Sequence, residues 1–212
     1  MQNQVLTISD KHHAAAKIIF DKVFSERTPK YIITVTGEVG TGKSAVSLLL
    51  AKLIKEHGVR VKIMDLDNYY KVPPLERKAW RKKNGVDKVG LDEYNWDKIY
   101  ENIEDFKEGR KATMPLVDMM TDYVDEATTD FKDVDFLIIK GLYSIECKES
   151  KFKIFIELSY EEAIKKHLYI PMEVTDEFRI KVMKKEQEVV QKLKRKADFF
   201  LDFDSSIEMY HL

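Results

Sequence analysis

Gly37, Gly42, Lys43 and Ser44 fill the fixed positions of G-x-x-x-x-G-K-[ST] within the run Gly37-Glu38-Val39-Gly40-Thr41-Gly42-Lys43-Ser44. Glycines at this spacing let backbone N–H groups turn inward on an anion, at the positive end of a helix dipole. A lysine next to the last glycine reaches the β- and γ-phosphates of a nucleotide, and the hydroxyl after it sits on Mg²⁺. The nucleotide-binding set read from this run is Gly37, Glu38, Val39, Gly40, Thr41, Gly42, Lys43, Ser44 and Ala45. ATP and Mg²⁺ are the cofactors it implies. A second candidate pair is Asp65 and Asp67, two carboxylates in Asp65-Leu66-Asp67-Asn68-Tyr69-Tyr70. A carboxylate near a γ-phosphate can orient and deprotonate an alcohol, and Asp65 could hold Mg²⁺ directly or through water.

Such residues act only if the flanking elements bring them together. The β-branched run Tyr31-Ile32-Ile33-Thr34-Val35-Thr36 predicts a strand before the glycine loop, and Ala45 to Ile54 predicts a helix after it, capped near Gly58. Val59 to Met64 predicts a strand that delivers Asp65 and Asp67 at its carboxyl end, on one side if the alternation continues. Leu75 to Gly90 reads as part helix and part loop, and Tyr94 to Lys107 as an amphipathic helix. Met114 to Asp118 reads as extended, with a polar loop onward to about Asp130. Phe136 to Ile139 and Phe152 to Leu158 are continuous apolar strands suited to a parallel sheet. Helices are expected from Tyr160 to about Tyr169 and from Asp176 to about Ala197, with a last strand over Phe199 to Phe203. Ser9-Asp10 begins an N-terminal helix that ends before Pro29. His12 and His13 are adjacent on it, which argues against a metal pair. The alternation of strands and helices predicts an α/β fold with a mostly parallel central sheet flanked by helices, organised as one domain over residues 1–212. Ligands in such folds gather outside the strand carboxyl ends.

The bulk properties agree with a globular enzyme-sized domain. The 212 residues are 44% hydrophobic and 34% charged, with a formal net charge of -1. No overall field recruits nucleic acid or an anionic membrane, and the basic runs Arg77-Lys78, Arg81-Lys82-Lys83 and Lys192 to Lys196 read as solvated helix faces. The one cysteine, Cys147, cannot form an intrachain disulfide, which fits a reducing compartment. Met1 to Leu6 carry no basic or long apolar stretch, and no run reaches membrane-span length, so a cytoplasmic location is expected.

The ordered set of segments resembles the uridine kinase/phosphoribulokinase family of P-loop kinases. Asp67-Asn68-Tyr69-Tyr70-Lys71 is similar to that family's Asp-x-Phe-Tyr-[Arg/Lys] segment, and Asn95-Trp96 with Glu108-Gly109-Arg110-Lys111 to its central helix. Pro115-Leu116-Val117-Asp118 matches Pro-Val-Tyr-Asp in part, Phe136 to Ile145 the strand Val-x-Val-Glu-Gly-Ile, and Lys196-Ala197-Asp198 the Tyr-Ala-Asp before the final strand. The resemblance implies that Asp67 is the general base and that a helical lid, about residues 160–180, closes over the transferring phosphoryl group. In that lid Arg179 is the only arginine, with Lys165 and Lys166 as further cations. Lysine supplies charge without the bidentate fork of arginine.

The chain departs from the family at informative places. Lys140 stands where the family has a metal-holding acid, and a charged lysine cannot ligate Mg²⁺. It could instead pair with Asp65 or Asp67, or touch a phosphate. Val117 and Asp122 replace the tyrosine and histidine that read uridine, and Val89 aligns with a ribose-binding aspartate. A pocket without those hydrogen-bond partners does not keep the same selectivity. Two functions therefore stand open: a small-molecule kinase acting on a hydroxyl of a nucleoside, sugar or similar acceptor, and a nucleotide-binding module with little or no turnover. Assembly as a homo-oligomer is left open by the sequence.

Overall fold

The computed structural model describes residues 8–118, 123–165 and 176–202. Five parallel strands form the central sheet: β1 (Tyr31–Gly37), β2 (Val61–Asp65), β5 (Phe136–Lys140), β6 (Phe152–Glu157) and β7 (Phe199–Asp202), in the order β2-β5-β1-β6-β7. The sheet is buried on both faces, which is why β1 and β5 read as unbroken apolar runs rather than alternating ones. Alternate residues serve opposite layers. Ile33, Val35, Phe136, Ile138, Ile154 and Ile156 face a core made with α1 (Asp10–Val23) and α2 (Lys43–Glu56). Ile32, Leu137, Ile139 and Phe155 face a second core with α4 (Trp96–Lys107) and the carboxyl half of α6 (Glu177–Leu193).

Two expectations shift. The strand expected over Val59 to Met64 begins at Val61 and includes Asp65, because the Val59 N–H is taken by the Ile54 carbonyl in the turn that ends α2. This puts Asp65 in register with Lys140 of β5. The polar stretch before Asp130 is not a loop throughout: β4 (Val124–Asp130) pairs antiparallel with β3 (Lys111–Val117) in a separate two-stranded sheet. Five of the seven β4 residues are exposed, so the ladder forms without the apolar alternation that marks a strand in sequence.

The remaining helices fall close to the expected places. Pro74 opens α3 (Pro74–Asn84) within its first turn, where a missing N–H costs nothing. Asn95 caps α4 by accepting the Lys98 N–H, and Asp176 caps α6 by accepting the Arg179 N–H. Helix α5 covers Tyr160–Lys165; the lid residues 166–175, with Lys166, lie outside the described residues, as do Asp122 and Phe203. Among the described residues no helix is long and apolar enough to cross a membrane.

Candidate active site

The turn between β1 and α2 lies at the carboxyl end of the central strand of the sheet. Its geometry depends on glycine at two points. Gly42, the N-cap of α2, has φ +84°, a left-handed conformation that L side chains rarely adopt. A Cβ on Gly37 would lie 2.8 Å from Thr41 Oγ1, which itself donates to the Glu38 carbonyl at 3.0 Å. Within this turn the Lys43 ammonium donates to the Gly37 carbonyl at 2.9 Å and the Glu38 carbonyl at 2.6 Å. Burial pushes Lys43 down to about 8, and the Asp67 carboxylate works against that fall. Ser44 and Ala45 follow in the first turn of α2, whose free N–H groups face the same side. Val39 and Gly40 complete the turn, partly exposed.

Glu38 behaves differently from its neighbours. Its side chain is buried and accepts three hydrogen bonds: the Tyr160 N–H at 2.9 Å, Gln187 Nε2 at 3.1 Å and Gln191 Nε2 at 2.6 Å. The loop is thereby fastened to α5 and α6. Sequence spacing could not reveal this, because the glutamines lie about 150 residues away.

The acidic pair is set by a turn rather than by strand alternation. Asp65 is the last residue of β2, and a 3-10 turn follows over Leu66–Tyr69. The Asp67 N–H donates to Asp65 Oδ1 at 3.1 Å, leaving the Asp67 side chain exposed. The other Asp65 oxygen, Oδ2, accepts from the Lys140 ammonium across the β2–β5 register. Burial and the Asp67 carboxylate push the Asp65 carboxyl up, and Lys140 pulls it back. Lys43, Lys140, Asp65 and Asp67 act on one another electrostatically, two cations against two anions. The turn is braced from outside: Asn68 Oδ1 accepts the Val117 N–H at 3.2 Å, and the Tyr69 hydroxyl donates to buried Asn102 at 2.9 Å. Tyr69 is therefore packing, whereas Tyr70 is half-buried between the Tyr94 ring and the Arg77 guanidinium, 3.6 Å above it.

The basic run in α3 is not wholly a solvated face. Arg81 is buried, donating to both carboxylate oxygens of Glu93 at 2.6 and 2.9 Å and reaching Glu186 of α6 at 3.1 Å. Arg179, expected to reach toward the transferring group, has its guanidinium 3.4 Å from the same Glu186. Lys165 is exposed at the end of α5. Glu146 is engaged by Lys196 at 2.6 and 2.8 Å, and Val89 is buried. Cys147 is buried too, its thiol pushed up to about 12 by desolvation.

A polyphosphate fits the turn: Gly37 admits no side chain, an ammonium is held in place by main-chain carbonyls, and helix N–H groups face the same side. A divalent cation fits less well. Among the described residues no group of three or more His, Cys, Asp or Glu could hold one, and one oxygen of Asp65 is already given to Lys140.

A parallel sheet with a glycine turn and a partly buried lysine at the carboxyl end of its central strand defines a P-loop α/β protein. The chain belongs to the Phosphoribulokinase / Uridine kinase family, whose pattern matches residues 32–169; members of this family are kinases. The uridine kinase of Mycoplasma genitalium is 25% identical over 189 residues, 84% of this chain and 87% of that protein. Among solved structures, one described as a possible uridine kinase from Bacillus stearothermophilus superposes with a TM-score of 0.66 at 18% identity, covering 89% of this chain and 98% of that one. Phosphoribulokinase from Rhodobacter spheroides gives 0.61 at 15% identity, with 82% and 71% covered. The structural likenesses establish the fold.

Proposed function

We propose that this protein is an ATP-dependent kinase that transfers the γ-phosphoryl group to a hydroxyl of a small molecule. One observation carries the reading: the partly buried Lys43 ammonium, held by two carbonyls of the glycine turn, and the exposed Asp67 carboxylate stand at the carboxyl ends of β1 and β2 in one parallel sheet. ATP, when bound, supplies the phosphoryl group. Gly37 to Ala45 would hold its phosphates through backbone N–H groups, Lys43 would offset their charge, and the Ser44 hydroxyl would meet a Mg²⁺ that came with the nucleotide. Asp67 orients the acceptor hydroxyl and takes its proton. Arg179 and Lys165, within the expected lid region, would supply charge over the transferring group, Arg179 from a position 3.4 Å from Glu186. The names of the relatives favour a nucleoside acceptor, although Val89 and Val117 offer no polar side chain for reading one.

The test is ADP release with ATP and Mg²⁺ against a panel of nucleosides, sugars and hydroxy acids, with Asp67→Asn as control. Acceptor-dependent release that disappears in the control supports the kinase. The second reading, a nucleotide-binding module with little turnover, is favoured by one observation, the Lys140–Asp65 ion pair. ATP binding without release for any acceptor would support it instead.

A further inference from the structure

We infer that Lys140 takes the place of a carboxylate-bound cation at the nucleotide site, so that the protein binds ATP with little dependence on a divalent metal. The inference rests on the nucleotide-binding part of the reading above. Three features of the site lead to it. Asp65 and Lys140 are cross-strand partners at the carboxyl ends of β2 and β5, so backbone register holds them opposite each other. Both are partly buried, with the Lys140 side chain only 13% exposed, which weakens the solvent screening that makes surface pairs negligible. Asp65 accepts from Lys140 through one oxygen and from the Asp67 N–H through the other, so each oxygen already carries a donor, one of them a cation.

A Mg²⁺ ion bound with ATP takes one or two protein carboxylates besides phosphate oxygens and water. Here the better-buried carboxylate is spent on an ammonium group. Lys140 is anchored at the carboxyl end of β5, beside the strand β1 that leads into the Lys43 turn. The cation that balances Asp65 is thus built into β5 rather than brought in with the nucleotide. Lys140 is a positioning residue for Asp65, whose charge it offsets.

The experiment is ATP affinity by calorimetry in Mg²⁺ and in EDTA, for the wild type, Lys140→Ala and Lys140→Arg. The wild type should bind with dissociation constants within about threefold in the two buffers, and Lys140→Ala should widen the gap to about tenfold or more. Lys140→Arg keeps the charge and should follow the wild type, which separates lost charge from lost packing; circular dichroism establishes that both variants are folded. An equal, large cation dependence in all three proteins overturns the inference while leaving the kinase reading intact. Absence of ATP binding in either buffer overturns both.

Discussion

In the proposed kinase Asp67 and Lys43 divide the work of the site, and the division is measurable. Asp67 is exposed on a turn and makes no side-chain contact that the fold depends on, so Asp67→Asn keeps the shape and removes only the proton acceptor. Turnover should fall by about 10²–10⁴-fold, the usual contribution of a general base, with ATP affinity little changed. Lys43→Ala should do the reverse at the first step, since it deletes the ammonium held between the Gly37 and Glu38 carbonyls; calorimetry would register lost ATP binding. Equal loss of affinity in both variants would contradict these roles. The glycine turn, Lys43 and Ser44 were legible in the sequence because their spacing is local. The pairing of Lys140 with Asp65 was one of several alternatives there, and the strand register selects it. Arg81 was misread, for its partners lie 12 and 105 residues away and no short-range pattern distinguishes a buried arginine from a solvated one.

At the scale of elements, two contacts are open to measurement, one at the start of a helix and one between two helices. The Ser9 N–H at the start of α1 donates to His12 Nδ1 at 3.1 Å, with the Ser9 hydroxyl 2.8 Å from the same nitrogen. That arrangement needs a neutral ring, and burial together with His13 lowers the His12 pKa from 6.5. A base whose folded pKa is depressed binds fewer protons folded than unfolded, so its stabilisation is full above the unfolded pKa and is lost as pH falls below it. Between about pH 7.5 and about pH 5.5 the wild type should lose more melting temperature than His12→Gln, whose amide oxygen can still accept the Ser9 N–H. Equal losses would remove His12 from the account. The second contact joins α3 to α6 through Arg81, Glu93 and Glu186. Arg81→Met leaves two buried carboxylates short of a partner, a cost of about 3–5 kcal/mol, or about 6–20 °C for a domain of this size. Adding Glu93→Gln should recover part of it, because less charge is left unpaired. Strand β4 belongs to this scale too: Thr128, Thr129 and their exposed neighbours hold a ladder by backbone pairing without an apolar face, so hydropathy could not announce it.

Across the whole molecule, the phosphate turn and α6 belong to different ends of the chain yet share Glu38. Its carboxylate is the acceptor for Tyr160, Gln187 and Gln191, so the residue after Gly37 carries the position of α5 and α6 into the turn that would hold a nucleotide. Glu186, one residue before Gln187, carries the same helix to Arg81 on α3. Helix α6 therefore spans from the phosphate turn to the helix beyond the acidic pair, and binding at one end should tighten the other. ATP at about a hundred times its dissociation constant adds about 2.7 kcal/mol to stability, whatever the route. The route itself is visible by hydrogen exchange: ATP should slow exchange in α2, in the first turn of α5 and along Glu177–Leu193. In Glu38→Ala the donors of both glutamines lose their acceptor. Protection should then persist at α2 and fail to reach α6, even when ATP is raised to the same fractional saturation. Protection of α6 that survives in Glu38→Ala would mean that another contact, such as the Glu186–Arg81 pair, transmits the effect, and the role given to Glu38 would be wrong.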